Sequence, residues 1–179
     1  MTGMNAKSPS LTVAGSRGFS PMSQQVHTSV LTQHWATYAA AADSAGHLAD
    51  RSDWRICRDF LVAETDEQAR DAYLNGPMGD LWQTYNIPTF IQHGIGELIS
   101  GGQIPPEQLS AEWLIDNNFH LVGSPETVAA KIEALYQEVG GFGTLVSFGH
   151  EYVDDPAVYR RSFELIGSQV APLVSHLWP

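Results

Sequence analysis

Short strand-like runs alternate with capped, amphipathic helices along this sequence, and that alternation constrains the fold more than any other feature. Ser8 and Pro9 read as an N-cap and a first helical residue, with Leu11, Val13 and Ala14 apolar and Gly15 or Gly18 as the stop. Residues 1–5 before them read as the tail of a strand. Residues 19–23 form an apolar run after a glycine, as a buried strand would. Residues 29–45 carry Leu31, Trp35, Tyr38 and Ala42 at helical spacing, closed by Gly46. The aromatic-rich stretch 54–62 reads as one strand, with Trp54, Ile56, Phe60 and Val62 on one side. A capping box, Thr65 with Gln68, opens the next helix.

Ser124, Pro125 and Glu126 open another helix, with Val128, Ile132, Leu135 and Val139 as its apolar stripe and Gly140-Gly141 as its stop. Residues 143–149 read as a strand buried on both faces, the kind found in parallel sheets. Asp154, Asp155 and Pro156 start the last helix, whose expected buried face is Phe163, Ile166, Val170, Leu173 and Leu177. Strands alternating with helices predict βα units, a parallel sheet and an α/β fold.

One segment breaks the rhythm. Between residues 75 and 118 glycines and prolines interrupt every pattern, leaving room for short helices such as 107–115. An excursion of that length inside a single domain of 179 residues is expected to be functional. Its aromatics Trp82, Tyr85, Phe90 and Trp113 either line an apolar pocket or pack the excursion down.

A formal net charge of −11 repels phosphate backbones and argues against nucleic-acid binding. No apolar run reaches the ~20 residues of a spanning helix. One cysteine, Cys57, allows no internal disulfide and fits a reducing cytoplasm. The seven histidines are scattered, without an HxH or HExxH spacing, so no metal site is expected.

Three candidate sites follow strand ends, where ligands gather in βα folds. Asn5, Ala6, Lys7, Ser8 and Ser10 lie between a strand tail and a helix start, where backbone N–H groups, hydroxyls and a cation suit a phosphate; a plain helix cap is the other reading. Ser23 and Gln24 follow the second strand, as ligand donors or as a polar loop. His150 follows the last strand, placed for proton transfer or simply solvated.

Three stretches resemble the bacterial luciferase-like, flavin-dependent monooxygenases. They are residues 8–23, residues 54–70, and residues 120–129, His120-Leu121 followed by Val122-Gly123-Ser124-Pro125-Glu126 with Val128, and then Gly140 to Leu145. The last is the most specific, and the resemblance runs over almost the whole chain. It implies a (β/α)8 barrel, represented by its C-terminal strands from about the fifth or sixth to the eighth. A complete barrel of that kind usually needs ~250 residues. By this mapping the chain opens at the end of strand five, with strands one to four absent.

The resemblance further implies FMN as cofactor, with reduced flavin and O2 oxygenating a small apolar organic substrate. A flavin reductase would be the electron source, and a homodimer or a separate N-terminal half would complete the barrel. It places the FMN phosphate on the loop Asn5 to Ser10, where Lys7 departs from the small polar residue common in the family. The alternative expectation is a non-catalytic flavin-binding or truncated partner protein derived from that family.

Overall fold

The computed structural model describes residues 2, 3, 5, 7–148, 150 and 156–178. Strand β1 (Thr2–Gly3) leads to helix α1 (Pro9–Ser16), and β2 (Met22–Ser23) leads to α2 (Thr28–Ser44). Next come β3 (Arg55–Cys57), β4 (Phe60–Val62) and α3 (Asp66–Leu74). The excursion holds α4 (Pro77–Leu81), a π-turn at Trp82–Asn86, α5 (Ile87–Gln92), α6 (Glu97–Ser100), a 3-10 turn at Pro106–Gln108 and α7 (Ala111–Asp116). The chain returns through β5 (Leu121–Gly123), α8 (Pro125–Val139), β6 (Thr144–Val146), α9 (Pro156–Leu165), a second π-turn at Ile166–Val170 and α10 (Ala171–Val174).

Among the described residues every strand pairing is parallel. One sheet has the order β1-β2-β3-β6, and a second pairs β4 with β5. This is the α/β organisation that the alternation of elements predicts. The strands' carboxyl ends, and the loops that follow them, therefore lie at one end of each sheet.

The stretch 54–62 is not one strand. It forks at Arg58 and Asp59, with β3 in the first sheet and β4 in the second. Continuous apolarity hid the fork. Arg58 is fully enclosed and donates from its guanidinium to the carbonyls of Cys57 and Val26, each at 2.9 Å, which pins the chain where it changes sheets. Both halves are buried, but on different partners: Trp54 and Ile56 pack with α2 and α8, while Phe60 and Val62 pack with α8 and the C-terminal helices.

Helix caps were legible. Thr65 Oγ1 accepts from the backbone N–H of Gln68, Ser124 Oγ from that of Thr127, and Gly140 closes α8 at φ 78°. Ser8 is the exception. It sits in cap position, but its hydroxyl pairs with Ser10 Oγ at 2.8 Å instead of capping a backbone N–H.

Four further expectations are corrected. Of residues 19–23 only Met22 and Ser23 are strand, and Phe19 is 49% exposed, because Gly18 turns the chain at φ 65°. The 107–115 helix is a 3-10 turn followed by α7, since Leu109 and Ser110 are extended between them. Thr144 on β6 is exposed and Leu145 and Val146 are half-buried, because β6 is an edge of its sheet. At the C-terminus, Phe163 and Leu173 are each 48% exposed, and Ser162, Leu165, Val170, Val174 and Leu177 face inward. Val170 and Leu177 are buried as expected, but the π-turn adds a residue to the helical register, so a constant period carried through it misplaces Phe163 and Leu173. Asp154 and Asp155 lie outside the described residues. No helix among the described residues is long and apolar enough to cross a membrane.

Candidate functional site

Parallel pairing brings the loops after β2, β3 and β6 to one end, and a cavity of about 310 Å³ opens there. Gln24 and Gln25 enter it from the loop after β2, Asp59 from the fork after β3, and Phe148 and His150 from the segment after β6. The excursion supplies the facing wall with Leu81, Trp82, Asn86 and Phe90. Trp82 and Phe90 stack at 6.3 Å, and Trp82 meets Phe119 edge-on at 5.6 Å. Of the four excursion aromatics, then, Trp82 and Phe90 line the cavity, Trp113 packs into the core beneath it, and Tyr85 is 62% exposed.

Asp59 is the polar centre of this site. It is completely buried, although a carboxylate so placed needs partners to stay charged. The indole N–H of Trp82 donates to Oδ2 at 2.9 Å. His150 Nε2 lies 3.0 Å from Oδ1, and His120 Nε2 lies 3.7 Å from Oδ2. Burial works against the Asp59 charge, but His150, His120 and the Trp82 indole outweigh it and hold its pKa below the usual carboxylate value. His120 is fully enclosed. Burial drives its pKa down to about 3, against the pull of Asp59, so its ring is neutral near neutral pH.

The 3.0 Å contact between Asp59 and His150 is poorly angled, and both atoms remain without a hydrogen bond. So do Gln25 Oε1, Arg58 Nε and His120 Nε2. Three of these five atoms belong to cavity-lining residues, Gln25, Asp59 and His150. Buried polar groups without partners are uncommon in folded proteins, and their clustering on one cavity suits a polar ligand. Among the described residues no group of His, Cys, Asp or Glu is arranged to hold a metal ion.

The residues singled out by sequence fall into three sets. Gln24 and His150 line the cavity. Ser23 does not: it is fully buried, and its Oγ accepts from the Trp54 indole at 3.0 Å and pairs with His34 Nδ1 at 3.0 Å. Its hydroxyl is engaged by the helix-facing core. The loop after β1 is apart from the cavity lining. Lys7 and Asn5 are exposed, the Asn5 carbonyl accepts from His34 Nε2 at 2.8 Å, and Ser8 is buried beside Ser10. Ala6 lies outside the described residues. Sequence reasoning missed Gln25, Asp59 and His120. The available signal was the pair Arg58-Asp59, two charges in the middle of an otherwise apolar run.

No family model matches the sequence. The chain is 40% identical over 175 residues to 3,6-diketocamphane 1,6-monooxygenase of Pseudomonas putida, covering 97% of this chain and 46% of that protein. It is 34% identical over 177 residues to 2,5-diketocamphane 1,2-monooxygenase 1 of the same organism, covering 97% of this chain and 48% of that protein. The chain thus spans about half the length of the curated relatives it matches. Its fold superposes, with a TM-score of 0.91 and 40% identity over 99% of this chain and 48% of the other, on the oxygenating constituent of 3,6-diketocamphane monooxygenase from Pseudomonas putida, a type II Baeyer-Villiger monooxygenase solved in complex with FMN.

Proposed function

We propose that this chain is the C-terminal part of a luciferase-like (β/α)8 barrel, from about its fifth or sixth strand to its eighth. In this reading it supplies one side of an FMN site at which a small apolar organic compound is oxygenated with reduced flavin and O2. The observation that carries the reading is the convergence of Gln25, Asp59 and His150, whose buried polar atoms lack a well-formed hydrogen bond, at the carboxyl ends of parallel strands. A flavin ring offers carbonyl oxygens and an N–H along one edge, which such donors and acceptors would meet. Similarity to an FMN-bound monooxygenase points the same way.

Bound FMN, when reduced, supplies the electrons that activate O2 for transfer of one oxygen atom. The chain's residues do the rest. Gln24 and Gln25 offer amide groups to the ring edge. Leu81, Trp82, Phe90 and Phe148 form an apolar wall that excludes water and receives the substrate. His150, whose buried Nε2 lies 3.0 Å from Asp59 Oδ1, is the cavity-lining group placed to hold or move a proton through its other ring nitrogen. Lys7, Ser8 and Ser10 follow β1 at the same end of the sheet, with a charge and hydroxyls suited to the phosphate.

A flavin reductase is the source of reduced flavin in this scheme. The edge strand β6, with Thr144 exposed, is where a second copy or another polypeptide would complete the sheet. Calorimetric titration of the chain with FMN tests the reading. The expected result is saturable binding weakened by Gln25→Ala and by His150→Phe; no binding to the unsubstituted chain overturns it. Binding without incorporation of 18O from labelled O2 into any apolar substrate would leave a non-catalytic flavin-binding protein.

A further inference from the structure

Behind the cavity, a line of buried polar side chains continues into the core. His150 faces the cavity, Asp59 lies behind it, His120 behind Asp59, and Tyr73 at the inner end. Tyr73 and His120 are wholly buried, and the Tyr73 hydroxyl lies 2.5 Å from His120 Nδ1. A phenol is protonated near neutral pH and a neutral imidazole accepts at one nitrogen only. A phenol can donate or accept, but an ionised carboxylate only accepts, and Asp59 Oδ2 faces His120 Nε2; the ring proton on Nε2 satisfies both neighbours, with Nδ1 the acceptor and Tyr73 the donor. His120 Nε2 has no hydrogen-bond partner and lies 3.7 Å from Asp59 Oδ2.

The surroundings of His120 are aromatic: Trp82 meets it edge-on at 4.7 Å, Phe119 lies at 5.2 Å and Tyr73 at 5.5 Å. An apolar ring would fill such a place without leaving a buried nitrogen unpaired, and that cost needs a reason. The carboxylate supplies one. Oδ2 of Asp59 faces two neutral N–H groups fixed in the core, the Trp82 indole and the His120 ring, while Oδ1 is left toward His150.

We propose that His120, held in one tautomer by Tyr73, is a positioning residue: it directs its Nε2–H at Asp59 and fixes the carboxylate that orients the His150 imidazole at the cavity. The consequence for catalysis rests on the cofactor reading given above; the positioning itself does not.

Long-range 15N spectra of the full chain, labelled at histidine and recorded without ligand near neutral pH, test it. In the unsubstituted chain His120 should be protonated at Nε2, with Nδ1 as the acceptor nitrogen. Tyr73→Phe should release it into a mixture of tautomers and shift the ring signals of His150. A proton on His120 Nδ1 in the unsubstituted chain overturns the proposal, and that measurement needs no variant to fold. Unmoved His150 signals in folded Tyr73→Phe overturn it equally. Adding FMN to the same unsubstituted sample separates the two claims. His150 signals unaffected by FMN count against the cofactor site alone, because the tautomer of His120 is read before FMN is added.

Discussion

Asp59 Oδ1 lies 3.0 Å from His150 Nε2, one residue at the fork between two sheets and the other beyond the last strand of the first sheet. Neither residue lies on a helix. Asp59 is held by the change of partner between β3 and β4, and His150 through its backbone N–H, which donates to the hydroxyl of Tyr159 at 3.2 Å. Tyr159 in turn donates to the Phe148 carbonyl at 2.9 Å, tying α9 to the segment that carries His150.

The buried imidazole beside this pair makes a pH prediction. His120 has a folded-state pKa of about 3, against 6.5 for the free side chain. Below 6.5 the unfolded chain takes a proton at this position that the folded chain refuses. The associated stability is complete above 6.5 and is lost as the pH falls toward about 3. Urea unfolding across that range should show a steeper loss in the unsubstituted chain than in His120→Phe. Equal slopes would mean that His120 is accessible to protons in the folded state.

Ser23 separates structure from ligand binding. Its hydroxyl serves the Trp54 indole and the His34 ring inside the core. Ser23→Ala leaves buried polar groups unpaired and should cost about 1–3 kcal/mol of unfolding free energy, read by urea denaturation. FMN affinity should be unchanged. A variant of normal stability that binds FMN more weakly would instead give Ser23 to the cofactor.

Much of the fold was readable because it follows local rules. Ser124 and Pro125 start α8, Gly140 stops it, and Val128, Ile132, Leu135 and Val139 are all buried on its inner side. The site was less readable for a physical reason. His120 is adjacent to β5, a three-residue strand that the sequence marks only through the family resemblance and the helix that follows, and Asp59 lies where an apolar run divides between two sheets. Those placements depend on pairing between distant strands, Phe60 with Leu121 and Cys57 with Val146, which no local periodicity reports. Gln24 and His150 were found because each follows a strand end, the one place where local reading and site geometry agree.

Close approach of α1 and α2 depends on Gly15. A Cβ there would fall 2.4 Å from the Tyr38 carbonyl oxygen and 2.8 Å from the Ala42 nitrogen, both backbone atoms of the facing helix. Backbone yields less readily than a side-chain end, so the two helices must separate. Gly15→Ala should destabilise the chain by about 1–3 kcal/mol despite the better helix propensity of alanine. Thermal unfolding measures this, and an unchanged or raised midpoint would show that α1 can shift without cost.

The loop after β1 makes the sharpest test of where a phosphate would sit. Ser8 and Ser10 hold each other at 2.8 Å, so both hydroxyls are already oriented, and Lys7 beside them is exposed. One of the two donates to the other in that pair, and a bound phosphate would redirect that proton to a charged oxygen, a stronger acceptor than a hydroxyl. Replacing both with alanine should therefore weaken FMN binding by about 1–3 kcal/mol. Riboflavin, which has the same ring and no phosphate, should bind the unsubstituted and doubly substituted chains equally. Titrating both ligands against both proteins gives four affinities, and only the FMN pair should differ. Equal weakening of riboflavin would mean that the substitutions disturb the fold or the ring site. No weakening of either would remove the phosphate from this loop.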